Sequence, residues 1–214
     1  MENKILDLWP TSILKKTFDE HNNCKKDLIS FIDNYKKDFP NGRSGNENKD
    51  LYESNYDIFS FSNSNSSLLK LIEFSGDGFK QIALHANKEA WINQNIDPSE
   101  ITLKIKSMWF IDYLKDGFVF PHIHSGSWSM VYYFDLGSNE IDLSKGGTHF
   151  ISPHNKSDSN DLGNIYSRES SRNIIGREGE ALFFPSTLVH SSYPNPSNQK
   201  RVIFSANAFF EKIK

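Results

Sequence analysis

Residues 109–134, WFIDYLKDGFVFPHIHSGSWSMVYYF, decide how this chain folds. Two short apolar runs, WFIDY and SWSMVYYF, flank a stretch punctuated by Gly117, Pro121 and Gly126. Runs of that length, rich in aromatic and β-branched residues and bounded by turn formers, are antiparallel strands rather than helices. Similar runs surround this segment: ITLKIKSMWFIDY leads into it, and THFIS, RNIIG, EALFFPS, VHSSYP and RVIFSANAFF follow it. Eight or so short strands after Ile101 predict a barrel or a sandwich.

The chain before Pro98 reads differently. Leu6–Leu14 is expected to be a short strand or extended arm interrupted at Pro10. A helix follows over Phe18–Tyr35, with Leu28, Phe31 and Ile32 at helical spacing. Asn41–Ser67 is a polar excursion rich in Asn, Ser, Gly and Asp. A second helix carries Phe79, Ile82, Ala83, Ala86, Ala90 and Trp91 at three- and four-residue steps and ends before Pro98. With no internal repeat and no linker, the reading is one domain over 1–214, in which 1–98 give helical support and 99–214 the β core.

Composition narrows the functional class. Cys24 is the single cysteine, so no internal disulfide forms, and a reducing, cytoplasmic setting is expected. A net charge of -3 gives no strong nucleic-acid signal. No apolar run is long enough to span a bilayer, and no secretory signal is visible, so no membrane partner is expected. The expected partner is a small-molecule or peptide substrate; the sequence leaves its identity and the oligomeric state open.

Five of the seven histidines fall between His122 and His190. In an extended strand, residues two apart share a face, so His122 and His124 are expected to project together into the barrel. His190, on a later strand, can join them. Imidazoles from neighbouring strands, without a thiolate, make a metal site with an open face, as in non-haem iron oxygenases, and not a closed structural zinc site. Arg201 follows His190 by eleven residues, beyond the turn YPNPSNQK, which is expected to return it to the strand beside His190. An arginine pointing into an apolar barrel needs an anion, and its planar fork suits a carboxylate. Ser205, four residues on, shares its face and adds a hydroxyl donor.

The ordered stretches WFIDYLKDGFVFPHIHSGSWSMVYYF, GGTHF, GEALFFPSTLVHSSYPN and KRVIFSANAFF resemble the 2-oxoglutarate and Fe(II)-dependent oxygenase superfamily, in particular the branch with an HxH strand and a distal FPSxxxH strand. The resemblance covers Trp109 to Phe210. It implies a double-stranded β-helix, a jelly-roll barrel with helices packed outside one sheet. It further implies Fe(II), 2-oxoglutarate and O₂ as cofactor and cosubstrates, and hydroxylation as the default outcome. His122 and His190 correspond to metal ligands, with His124 the expected third, and Arg201 to the residue that holds the distal carboxylate of 2-oxoglutarate. Were His124 turned away, a two-histidine site completed by water or another anion would remain. One departure stands out: most of the superfamily has Asp or Glu where this chain has His124. Asp112, Asp116 and Asp135 are the nearest carboxylates that could replace it.

Other residues carry weaker signals. Gly146 and Gly147 open a strand beside the site in relatives. His149 and His154 read as loop or surface histidines, Trp128, Tyr132 and Tyr133 as mostly core, and Ser129 as a candidate carboxylate donor. Asn207 resembles an end-of-strand Asn with a structural role. The polar stretch Asn41–Ser67 and the loop Asn155–Ser171 are candidate walls for a substrate. Two rival readings remain: a three-histidine cupin-like dioxygenase that uses no 2-oxoglutarate, and a non-catalytic metal- or ligand-binding jelly roll.

Overall fold

The computed structural model describes residues 10–43, 50–137, 147–153, 169–196 and 200–213. Among the described residues, nine strands form two antiparallel sheets. They are β1 (Leu14–Thr17), β2 (Leu51–Glu53), β3 (Ile101–Tyr113), β4 (Trp128–Asp135), β5 (Thr148–Ile151), β6 (Ser171–Ile174), β7 (Glu180–Pro185), β8 (His190–Ser192) and β9 (Arg201–Lys212). The larger sheet has the order β1-β7-β4-β9-β3-β2, and the smaller the order β6-β5-β8. Helices α1 (His21–Asp38) and α2 (Ser66–Asn93) precede the long strands. This is the jelly-roll class with helices against one sheet.

Strand alternation builds two cores. On β3, β4 and β9, Met108, Phe110, Met130, Tyr132, Val202 and Phe204 belong to a buried cluster shared with both helices. The residues between them, including Trp109, Ile111, Tyr113, Val131, Tyr133 and Ile203, form a second cluster with Phe150 of the smaller sheet. The larger sheet is therefore buried on both faces, and only its inner face meets the cavity described below. Arg201 and Ser205 lie in the inner register of β9 with Ile203, which places them in that cavity.

Helix α1 buries His21, Cys24, Leu28, Ile32 and Tyr35, a stripe at three- and four-residue steps. Helix α2 starts at Ser66, well before the Phe79 run, because the Asn65 side chain accepts from the Leu68 amide at 2.8 Å and caps it. Its buried face ends at Ala83; Ala86 and Ala90, expected to be buried, are exposed because the last turns outrun the sheet. The polar excursion is also more ordered than its composition implied. It contains β2, which pairs with the end of β3, and a 3-10 turn over Ile58–Ser64 whose Ile58 is fully buried. Leu14 falls on β1; the arm before Pro10 lies outside the described residues. No described helix is long and apolar enough to cross a membrane.

Candidate metal centre

His122, His124 and His190 come together: one ring nitrogen from each lies within 4.8 Å of the others. Ring centroids are 4.3 Å apart for His122 and His190, 4.7 Å for His122 and His124, and 5.0 Å for His124 and His190. The route to this convergence differs from the expected one. His122 and His124 sit in no regular strand. His122 makes an isolated antiparallel bridge to His190, with amide-to-carbonyl distances of 3.0 and 3.1 Å in the two directions. The His124 amide donates to the Ser186 carbonyl at 2.9 Å, so His122 is docked on the start of β8 and His124 on the β7–β8 connection. Gly126, just beyond them, has φ +122, and a Cβ there would meet the Ala208 carbonyl at 2.9 Å; only glycine turns the chain here without strain.

Backbone carbonyls fix the tautomers. His122 Nδ1–H donates to Phe120 O at 2.7 Å, and His190 Nδ1–H to Leu188 O at 2.9 Å. Each ring then carries its lone pair on Nε2, the arrangement typical of metal-binding histidines. His122 Nε2 and His124 Nε2 face each other at 3.2 Å. Two imidazole nitrogens bound to one cation at about 2.1 Å, at roughly a right angle, lie about 3 Å apart. Burial lowers all three pKa values: His122 below its ordinary value, His190 to about 4 and His124 to about 3, with the neighbouring histidines adding to the last two. The imidazoles are thus neutral at pH 7, as ligands must be. The donor set fits a divalent first-row metal.

The set holds no carboxylate among the described residues. The three acids considered as substitutes for His124 do not join it. Asp112 is in the helix-facing register of β3 and pairs with Lys36 at 2.7 Å. Asp135 faces Lys25 at 3.7 Å, and Asp116 occupies a turn at φ +64.

The histidines line a cavity of about 480 Å³ that also contains Arg201 and Ser205. Arg201 opens β9 of the larger sheet; it is not on a strand beside His190, and reaches the cavity from the opposite sheet. It is 5% exposed. Its guanidinium donates to the Tyr193 carbonyl at 3.1 Å and the Gly147 carbonyl at 3.2 Å, and lies 4.8 Å from the Tyr113 ring centre. None of these partners neutralises it, so a buried cation faces the cavity with donors to spare. The Tyr113 hydroxyl is raised by burial, against the pull of Arg201.

Gly147 has more weight than an ordinary turn. It takes φ +99, a Cβ would meet the Ile174 carbonyl at 2.4 Å, and its own carbonyl orients Arg201. Its neighbour Gly146 and His154 lie outside the described residues, as does most of the 155–171 loop. His149 meets the Tyr193 hydroxyl at 3.1 Å and lines no part of the cavity. Ser129 is committed elsewhere, donating to Asn207 at 2.7 Å with Ser186 at 2.9 Å. Trp128 and Tyr132 face the helices, whereas Tyr133 faces inward and meets the Thr148 hydroxyl at 2.7 Å. Sequence reasoning did not single out Trp109, which lines the cavity; Arg43, Glu53 and Tyr56, which also line it, fall in the polar stretch Asn41–Ser67 expected to form a wall, though none was named individually. The alternation of β3 around Trp109 was a usable signal; the others needed knowledge that β2 joins the sheet.

Residues 107–207 match the sequence model of a family described as "Putative 2OG-Fe(II) oxygenase". The resemblance is to the 2-oxoglutarate and Fe(II)-dependent oxygenase superfamily. Solved structures of these oxygenases share the fold. A Pseudomonas putida prolyl-4-hydroxylase matches at 10% identity over 95% of this chain and 94% of its own, with TM-score 0.54. A Trichoplax adhaerens prolyl hydroxylase, solved with a hypoxia inducible factor peptide, matches at 14% identity over 92% and 83%, with TM-score 0.55. HygX from Streptomyces hygroscopicus, solved with nickel and 2-oxoglutarate, matches at 10% identity over 94% and 83%, with TM-score 0.53. No curated protein matches the chain by sequence.

Proposed function

We propose that this chain is an Fe(II)- and 2-oxoglutarate-dependent dioxygenase that hydroxylates a small-molecule or peptide substrate. The observation that carries the reading is a convergence of three neutral imidazoles in one cavity with a buried arginine that has no carboxylate partner among the described residues. Iron, when bound, supplies the O₂ chemistry that decarboxylates 2-oxoglutarate to succinate and CO₂ and oxidises a substrate C–H bond. The chain's part is to bind, orient and exclude water. His122 and His190 would hold the metal through the nitrogens their carbonyl contacts leave unprotonated, and His124 through the Nε2 that faces His122. Arg201 receives the distal carboxylate of 2-oxoglutarate in place of bulk water, with Ser205 as a further donor. Val131 and Ile203 give that end of the cavity an apolar lining, which strengthens the ion pair. HygX, of the same fold, was solved with this cosubstrate, which supports the assignment.

A ligand set of three histidines, with no carboxylate among the described residues, favours a second reading, a three-histidine dioxygenase that uses no 2-oxoglutarate. One experiment separates them. The metal-free protein is loaded with Fe(II) under nitrogen, mixed with 2-oxoglutarate, exposed to O₂ and assayed for succinate. Succinate that appears with Fe(II) and is lost in Arg201→Ala supports the first reading. O₂ uptake without succinate supports the second, and neither signal across a substrate panel leaves a binding protein.

A further inference from the structure

The cavity has a second pole, where Arg43, β2 and Tyr56 meet Trp109 of β3. Strand β2 extends the larger sheet at its edge, and its inward register brings Leu51 and Glu53 to the cavity wall. Arg43 donates to Glu53 at 2.7 Å and to the Tyr56 hydroxyl, and its guanidinium lies 4.4 Å from the Tyr56 ring centre. Trp109 meets the other side of this group, its ring 4.9 Å from Tyr56 and 5.5 Å from His124. This wall therefore borders the metal centre without including Arg201.

Two donors on this wall have no acceptor among the described residues. Trp109 Nε1 and Arg43 Nε are both buried and find no hydrogen-bond partner among the described residues, and Trp109 as a whole is 3% exposed. Buried N–H groups left unpaired are uncommon in native proteins and call for a partner. Charge points the same way. Among the described residues, the charged ones that line the cavity are Arg43, Arg201 and Glu53, a sum of +1 with neutral histidines (two cations less one anion). A divalent metal and a doubly charged 2-oxoglutarate cancel each other, so the filled cavity keeps that surplus. A carboxylate among the metal ligands would have removed it, and this chain has His124 instead.

We propose that Arg43 and Trp109 form a substrate-binding subsite that receives a carboxylate of the substrate beside the metal centre. The inference rests on the oxygenase reading and narrows its substrate to a carboxylic acid. An incoming carboxylate takes Arg43 Nε–H and Trp109 Nε1–H and brings the charge of the cavity to zero. Tyr56 is 41% exposed, so its ring turns outward without emptying the core and opens both donors to the ligand. Glu53 holds Arg43 through Nη2 and leaves Nε–H to the ligand; a neutral acceptor leaves the surplus charge of the cavity in place, and a cation adds to it.

The test uses the protein loaded with Ni(II), which is redox-silent here, and saturated with 2-oxoglutarate, so that Arg201 is occupied. Phenylacetate, 3-phenylpropionate and 4-phenylbutyrate are compared with their primary amides and with the amines of equal length by ligand-observed NMR and calorimetry. At least one acid is expected to bind tenfold or more tightly than its amide and its amine. Arg43→Gln should abolish that preference, Trp109→Phe should weaken the acid a few-fold, and Glu53→Gln should tighten it. If no acid exceeds its amide, or if Arg43→Gln leaves the preference intact, the subsite is overturned. 2-Oxoglutarate affinity is measured on each variant. Its loss in the wild type counts against the oxygenase reading, whereas its retention in Arg43→Gln alongside a lost acid preference belongs to the subsite alone.

Discussion

Two side chains in the cavity separate binding of metal from binding of cosubstrate. Arg201→Ala removes a buried charge-assisted contact, worth on the order of 2–5 kcal/mol. It should raise the dissociation constant for 2-oxoglutarate more than tenfold and leave metal affinity nearly unchanged, as calorimetry on the Ni(II)-loaded protein will show. His190→Ala should have the reverse order of effects. It removes the most buried of the three imidazoles, so metal binding itself should disappear from equilibrium dialysis. These residues were legible in the sequence because each is an expensive group in an apolar stretch: HIH, the lone His in FFPSTLVHSS, and the Arg that opens RVIFSANAFF. Their partners were not. The carbonyls of Phe120, Leu188, Gly147 and Tyr193 that orient the rings and the guanidinium are backbone atoms, and backbone atoms have no sequence signature.

At the scale of elements, helix α2 is held to the sheet by a missing side chain. A Cβ on Gly78 would meet the Phe183 ring of β7 at 2.1 Å. Alanine is the better helix former by about 1 kcal/mol. Overpacking costs typically about 1–3 kcal/mol, and the contact is well inside any tolerated distance, so packing decides. Gly78→Ala should lower the midpoint of urea unfolding despite its higher helix propensity. Here the sequence was readable only in part. The 3.6-residue pattern of the Phe79 run announces the helix. Its early start depends on the Asn65 cap, and its exposed end on where β3 stops supporting it. Strand β2 was hidden for a related reason: LYE is too short to show alternation, and becomes a strand only because the end of β3 offers it an edge. The expectation that HIH lay in a strand failed because the chain there is extended and paired at one bridge only, which gives the shared face without the ladder.

The whole molecule should sense pH through its three cavity histidines. In the unfolded chain each titrates near 6.5; in the fold His190 is lowered to about 4 and His124 to about 3. Between those values and 6.5 the unfolded state binds more protons than the native one, so stability rises with pH across the window. The contribution is fully present above pH 6.5 and is lost progressively as pH falls through 6.5 toward 4. Urea midpoints of the metal-free protein should therefore drop between pH 7 and pH 5. The drop should shrink in His124→Phe, which has no proton to take up there. Adding Ni(II) should hold the rings neutral and move the loss to lower pH.

The backbone bridge between His122 and His190 has a further consequence for how the protein comes apart. The two residues are 68 positions apart in the chain (190 less 122), and the smaller sheet's β5 and β6 lie between them together with β4 and β7. An ion held by both rings is a cross-link across that span. By the chain-entropy relation used for disulfides, closing a loop of this length removes on the order of 4 kcal/mol of freedom from the unfolded ensemble. A strand in this interval cannot fully leave while the ion stays, since the clasp at its two ends is still shut. Metal should thus act on the rate of unfolding as well as on its equilibrium: the loaded protein should resist a protease for longer than the metal-free protein, and His190→Ala should erase the difference.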